Sequence, residues 1–252
     1  MSEKAVESVA EDVAEQAGER AAAGGSTAER PAEHVAPEPG AEAAGDGPPQ
    51  SVAEAVQRMS SGQRAKFRLT KLAGVHALVW LIARGLFAAA DSWRMLSDLS
   101  LASLLAVVTG VLAGIVTANV LHEWGHYLGA RRSGGAFEIP EKLGLFVYDW
   151  DFKQNSVAQF LTMSRAGTIG GALALLLGWW LVPTDTLARA ALLAGLLGSF
   201  AFAARIEWPV LRRVGEGGDP LTELSKIDEG VLKNATLVAT GVGLVALWFL
   251  SP

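Results

Sequence analysis

Four long apolar segments constrain what this chain can fold into more than any other feature of its sequence. Each contains at most one charged residue, and a helix of about 20 apolar residues is long enough to cross a bilayer. They span residues 101–121, 166–182, 187–204 and 235–250. None shows the polar stripe with a period of 3.6 residues that a soluble helix presents to water. A fifth segment, 72–90, is interrupted by Arg84. We therefore predict an all-α polytopic membrane protein with about five transmembrane helices.

The N-terminal part of the chain has a different composition. Residues 1–55 include 12 acidic and 3 basic residues, whereas the remainder of the chain is weakly basic. A segment this polar buries too little apolar surface to offset the entropy lost on ordering. We predict a disordered acidic tail over residues 1–56 and a transmembrane domain over residues 57–252. The absence of cysteine excludes disulfides and thiolate metal ligands.

Basic residues predict the orientation of the chain in the membrane. They cluster before the segment at 72–90 and occur again in the connections that follow the segments at 101–121 and 187–204. The connections around 91–98 and 183–185 carry few. Because short cytoplasmic loops are enriched in Lys and Arg, we expect a multi-pass protein of the cytoplasmic membrane whose N-terminal tail is cytoplasmic. Without interleaved stacking aromatics, these residues do not indicate nucleic-acid binding.

The motif HEWGH directly follows the apolar segment at 101–121, within the stretch LHEWGHYLGARR. His122 and His126 are four residues apart, so on a helix both imidazoles project from one face and can bind one metal ion. Glu123 is placed to act as general base on a water molecule that the metal activates. HExxH on a helix is typical of zinc-dependent peptide hydrolysis. The alternative is a pair of buried histidines that only hydrogen-bond to their neighbours. It is disfavoured because ionisable residues inside a membrane are costly and usually serve a function.

The depth of this motif follows from helix geometry. From Leu101 to His122 a helix rises about 32 Å, roughly the thickness of the hydrocarbon core. We therefore expect the active site near the cytoplasmic face, where water and metal ions can reach it. Small residues precede the histidines at intervals of four and predict close helix packing on the same face. They are Gly110, Gly114 and Ala118.

These features resemble the site-2 protease family of intramembrane zinc metalloproteases. The likeness covers residues 101–224 and rests on HEWGH in a membrane helix followed by GARR, on the amphipathic loop after it, and on a later helix end with a proline and a Gly-Asp pair. It implies a zinc ion held by His122, His126 and one carboxylate, with Glu123 catalytic. It also implies a membrane-protein substrate that is cut in or near its transmembrane segment.

The third ligand is where the sequence departs from that family. Its members present Asn-x-x-Pro followed closely by Leu-Asp-Gly, whose Asp binds the metal, whereas this chain has RIEWPVLRRVGEGGDPLTEL. We take Asp219 as the metal ligand, because the glycines before it allow the backbone to fold inwards. Glu207, beside Pro209, is the alternative. Asp219 before proline also fits an N-cap of the helix that enters at Leu221, and both roles are compatible.

The loop after the motif has the alternation of a strand between residues 142 and 152. Its aromatic residues point one way and the residues between them point the other. The aromatic set is Phe146, Tyr148, Trp150 and Phe152. We expect a short β-like re-entrant or interfacial loop whose edge captures an unwound substrate segment as an extra strand.

Two other functions compete with an intramembrane zinc endopeptidase. A non-proteolytic, metal-stabilised membrane adaptor of the same fold would not need the general base Glu123. A metal or proton transporter would spread its ionisable groups along several helices, whereas here they cluster at one depth. The expected partners are a membrane-protein substrate and the lipid bilayer; a regulatory membrane partner or a homodimer stays open.

Overall fold

The computed structural model describes residue 51 and residues 59–252, so the predicted disordered tail over 1–56 lies outside the described residues except for Ser51. Five of the described helices are long and apolar enough to cross a membrane. The elements are α1 (Ser61–Leu96), α2 (Ser100–Arg132), β1 (Phe137–Glu138), β2 (Asp149–Trp150), α3 (Val157–Leu181), α4 (Leu187–Gly215), the short α5 (Pro220–Leu224) and α6 (Glu229–Leu250). The prediction of an all-α, multi-pass membrane protein is confirmed, and the segment at 72–90 lies within α1.

Side-chain caps define where several of these helices begin. Ser60 accepts a hydrogen bond from the backbone N–H of Gln63, whose side chain in turn accepts one from the backbone N–H of Ser60. Ser156 and Gln159 form the same reciprocal pair before α3. Such capping boxes satisfy backbone donors that a helix start leaves unpaired. They fix the points at which α1 and α3 start.

Small residues allow α2 to lie at the centre of the bundle. It packs against α1, α3 and α4, while α6 packs against α4. A Cβ added at Gly110 or Gly114 would overlap the backbone of α4, and one added at Gly125 would overlap the backbone of α3. The predicted face of small residues ahead of the histidines is therefore buried, and it brings α4 against α2.

An ion-pair cluster joins α1 to α4 at the end of the bundle opposite the HEWGH motif. Asp91 is buried and accepts hydrogen bonds from Arg94 and Arg189, at 3.2 and 3.0 Å. Arg189 also donates to Asp185 at 2.9 Å. The arginines at this end are thus neutralised by neighbouring carboxylates, and the connections themselves contain few basic residues.

The loop between α2 and α3 forms less strand than its alternation predicts. β1 and β2 are antiparallel, with Phe137 opposite Trp150, and each strand has two residues. Phe146 is 61% exposed whereas Val147 is fully buried, the reverse of the expected alternation. Residues 139–148 have no strand partner in the described structure, so no ladder imposes a period of two on them. Tyr148 and Trp150 do pack inward as expected.

Candidate metal centre

Three side-chain atoms from α2 and α4 converge near the end of α2 that carries GARR. The Nε2 atoms of His122 and His126 lie 3.0 Å apart. Oε1 of Glu207 lies 2.7 Å from the first and 3.1 Å from the second. The histidines share a helix face because they are one turn apart, and α4 supplies the carboxylate from across the helix interface.

The outer nitrogen of His126 defines which atom faces this centre. Nδ1 lies 3.2 Å from the carbonyl oxygen of Met163. A carbonyl only accepts, so Nδ1 carries the proton, and in a neutral imidazole Nε2 then presents its lone pair to the centre. Ligand histidines commonly donate their second N–H to a backbone carbonyl in this way. His126 is therefore oriented as a ligand.

This arrangement could hold a cation at its centre. The lone pairs of His126 Nε2 and Glu207 Oε1 face each other at 3.1 Å and repel unless a positive charge lies between them. A single proton can bridge one such pair of atoms. Here a third nitrogen, Nε2 of His122, lies close to both of them. Within the described residues, His122 Nδ1 and Glu207 Oε2 are buried and have no hydrogen-bond partner. One ion bound by all three residues would account for their convergence.

The donor set fits a metal ion. The ligand atoms of His122, His126 and Glu207 lie within 4.8 Å of one another. In a tetrahedral zinc site with bonds near 2.0–2.1 Å, ligand atoms are about 3.3 Å apart. The separations of 2.7–3.1 Å are therefore close to those of a metal site. Two imidazoles and a carboxylate, with a fourth position open to water, suit zinc among the divalent metals.

The structure reverses the order in which the sequence ranked the two carboxylates. Asp219 is exposed, and its Oδ2 accepts hydrogen bonds from the backbone N–H and the hydroxyl of Thr222, both at 2.8 Å. These hydrogen bonds hold the pKa of the Asp219 carboxyl below its usual range. Asp219 is thus the N-cap of α5 and is not part of the group that could hold a metal. Of the two carboxylates that the sequence offered, the structure brings Glu207, and not Asp219, together with the two histidines.

Glycines on α3 provide the space for both histidine rings. A Cβ added at Gly167 would overlap the imidazole of His126, and one added at Gly171 would contact the ring of His122. Gly167 is buried and follows Ala166, which packs against Gly125 of α2. Alanine at position 167 would therefore push His126 away from the centre.

Glu123 lies beside the metal group without being part of it. Its side chain is buried, 9% exposed, and makes no hydrogen bond or ion pair in the described part of the chain. Both imidazoles and the Glu207 carboxylate are within electrostatic range of it. A carboxylate next to the ligands and not committed to a partner is free to exchange a proton with a water molecule at the centre.

Tyr148 is a site residue that the sequence placed only on the aromatic face of the loop. Its ring packs against Tyr127, which is one turn from Glu123 on α2. Burial, together with the negative charges of Glu123 and Glu207, raises the pKa of the Tyr148 hydroxyl. The hydroxyl therefore stays protonated and keeps its hydrogen as a donor. Its position depends on loop folding, which no local pattern reveals.

His76 connects α1 to this region without entering it. Its Nδ1 accepts a hydrogen bond from the indole N–H of Trp124 at 3.1 Å, and its Nε2 donates to the carbonyl of Gly144 at 2.9 Å. Both ring nitrogens are satisfied, which agrees with a packing role for this histidine. It links the α1–α2 pair to the loop that carries Tyr148.

No protein-family model, no curated protein and no solved structure matches this chain. The resemblance to the site-2 protease family therefore rests on the sequence motif alone.

Proposed function

We propose that this protein is an intramembrane zinc endopeptidase. Its zinc ligands are His122, His126 and Glu207, and its general base is Glu123. The observation that carries the proposal is the convergence of both HExxH imidazoles on a carboxylate of another membrane helix, with Glu123 buried beside them. A group built for packing alone would not leave a carboxylate uncommitted next to three converging acceptors.

When bound, zinc lowers the pKa of its water to near neutrality and polarises the scissile carbonyl. Glu123 accepts a proton from the attacking water and then delivers it to the leaving amine. His126 is held in its ligand tautomer by the Met163 carbonyl. We assign to the Tyr148 hydroxyl, which is within electrostatic range of Glu123 and Glu207, the role of donor to the oxygen on which negative charge develops. One such donor is worth several kcal/mol in other hydrolases.

The substrate class follows from the location of the site in a membrane helix. The helices that supply its ligands, α2 and α4, are both apolar enough to cross the bilayer. A peptide bond that reaches Glu123 must belong to a chain at the same depth, namely a membrane protein cut in or near its transmembrane segment. By the distribution of basic residues, we place this end of the bundle at the cytoplasmic face.

The loop between α2 and α3 provides a place for an unwound segment of substrate. In a helix the backbone N–H and C=O groups are already hydrogen-bonded to one another, so attack on a peptide bond requires local unwinding. In the described residues β2 pairs only with β1, so its other edge has no strand partner, and we assign that edge to an added substrate strand. Tyr148 directly precedes β2, so a strand bound there would lie next to the general base.

A paired assay of metal content and cleavage tests the proposal. The probe is a synthetic transmembrane peptide with a Gly-Pro break, labelled at both ends and reconstituted with the purified protein in vesicles. Wild type should contain about one zinc per chain and cut the peptide, and His126→Ala should lose both properties. Arg132→Ala, at the end of the same helix, is the matched control and should retain both.

Two results would count against this assignment. Wild type without bound zinc, or His126→Ala with wild-type zinc content, would remove the metal centre. Full zinc occupancy with no cleavage of the Gly-Pro peptide, or of the same peptide without its Gly-Pro break, would instead favour the non-proteolytic adaptor.

A further inference from the structure

A surface cavity beside α4 has both apolar and basic lining residues, and none of them belongs to the metal centre. It has a volume of about 520 Å³ and lies between α4 and α6. Its lining is mostly apolar, including Phe200 and Ala204 from α4 and Val238 from α6, and it contains two basic side chains, Arg205 and Arg212. None of the described residues that line it is acidic.

The two arginines carry charge that the surrounding protein does not neutralise. Arg205 is exposed and forms no ion pair within the described residues. Arg212 approaches only Glu216, at 4.0 Å, and both of these side chains are about 70% exposed. A surface pair of this kind contributes little. By contrast, the adjacent Arg213 donates to the buried carboxylate of Glu223.

The order of residues along α4 matches the order of groups in a lipid. Phe200, Arg205, Trp208 and Arg212 line the cavity in this order, and the helix rises about 18 Å from the first to the last. Arg205 begins about one turn before Trp208, and a long arginine side chain can extend from that depth to the headgroup level. Trp208 is half exposed, and its ring packs edge-on against Phe200. Tryptophan is typical of the level between acyl chains and headgroups. The face thus passes from acyl-chain depth to headgroup depth.

We propose that this cavity binds an anionic phospholipid. Its phosphate is held by Arg212 and by the extended side chain of Arg205, its glycerol region lies on Trp208, and one acyl chain follows Phe200 and Val238. Basic pockets between transmembrane helices at the cytoplasmic side bind acidic headgroups for the same electrostatic reason. The site is independent of the proposed peptidase activity. It lies on the helix that supplies Glu207, so the bound lipid contacts residues on both sides of that ligand.

Quenching by brominated lipids tests this site directly. The full chain is reconstituted in phosphatidylcholine vesicles with increasing fractions of brominated phosphatidylglycerol, or of brominated phosphatidylcholine as the zwitterionic reference. The signal of Trp208 is the difference between wild type and Trp208→Phe. We expect phosphatidylglycerol to quench it at lower mole fractions, and this preference to fall about fivefold for each arginine removed in Arg205→Gln/Arg212→Gln.

Two further variants make the outcome decisive. Arg205→Lys/Arg212→Lys keeps both charges and should retain the preference, so a loss caused by misfolding is distinguishable. Arg131→Gln/Arg132→Gln removes two charges from the end of α2 and should change nothing. Equal quenching by the two lipids in wild type would overturn the proposal. An equal loss in the α2 variant would overturn it too, because the preference would then belong to the whole basic end.

Discussion

His126 shows how a single backbone carbonyl prepares a residue for its role. The Met163 carbonyl takes the Nδ1 proton, so the Nε2 lone pair points at Glu207 and His122. The HExxH spacing predicts that two imidazoles share a face, and the structure agrees. It cannot predict the tautomer, because Met163 is on another helix.

Glu207 and Asp219 give a first prediction at this scale. Glu207→Ala should lower zinc affinity by more than about 100-fold, since outer-shell partners alone are worth 10–100-fold. Asp219→Ala should leave zinc content unchanged and only weaken the start of α5, because its carboxylate caps that helix. Zinc titration of both purified variants checks this. Loss of zinc in Asp219→Ala with retention in Glu207→Ala would return the ligand to Asp219.

The chain's two tyrosines allow a second prediction. Tyr148→Phe preserves the ring packing but removes the hydroxyl that we place near the developing oxyanion. We expect kcat for the broken peptide to fall about 100-fold at unchanged zinc content, the lower end of the effect of one oxyanion donor. Tyr127→Phe, in the adjacent buried ring, is the control and should keep wild-type kcat. Similar kcat values in both variants would remove Tyr148 from the mechanism.

Helix packing sets the geometry of the site at the scale of elements. Gly125 and Gly129 of α2 let the backbone of α3 approach closely, and Gly167 of α3 makes room for His126. Close approach through small residues is the usual way in which membrane helices associate. The site therefore depends on the interface between α2 and α3 as well as on its ligands.

Gly167→Ala tests this dependence. The added Cβ would overlap the His126 ring, so the imidazole must rotate away from Glu207. We expect zinc content to fall at least tenfold, measured by metal analysis, while the helical circular dichroism is preserved. Gly74→Ala in α1, where a Cβ meets nothing within 4 Å, is the matched control. Wild-type zinc content in Gly167→Ala would mean that α3 does not position His126.

The end of α4 explains why the sequence ranked Glu207 below Asp219 as the third ligand. Apolar composition places the end of that segment at residue 204, but α4 continues to Gly215 with Pro209 inside it. Hydropathy reports the thickness of the hydrocarbon core, whereas a helix ends only where its hydrogen bonding ends. Proline costs one backbone hydrogen bond, which a long packed helix tolerates. Glu207 therefore lies on a rigid helix and not in a loop.

Five apolar helices were predictable at the scale of the whole molecule, because length and hydropathy determine them locally. The partners of each helix were not, because packing depends on which small residues face each other. The loop was predictable only in part. Its strand is limited to the two residues that find a partner on β1, which depends on the turn between them.

The orientation of the bundle is testable because the chain has no cysteine. Ser100→Cys marks the end with the Asp91 cluster, and Ser225→Cys marks the end with the metal group; both positions are exposed. From the positive-inside rule, a membrane-impermeant maleimide should label Ser100→Cys in intact cells and Ser225→Cys only after lysis. The opposite pattern would place the metal group at the outer face.

The turnover of Glu123→Gln, at matched zinc content, tests the central claim most directly. The substitution keeps the size of the side chain but removes its basicity, and Glu123 is not among the three converging ligands. The variant should bind zinc as wild type does and cut the transmembrane peptide with the Gly-Pro break at least 100-fold more slowly, the lower end of what general base catalysis contributes. Wild-type turnover by a zinc-loaded Glu123→Gln protein would contradict the assignment of this chain as a zinc endopeptidase acting through Glu123.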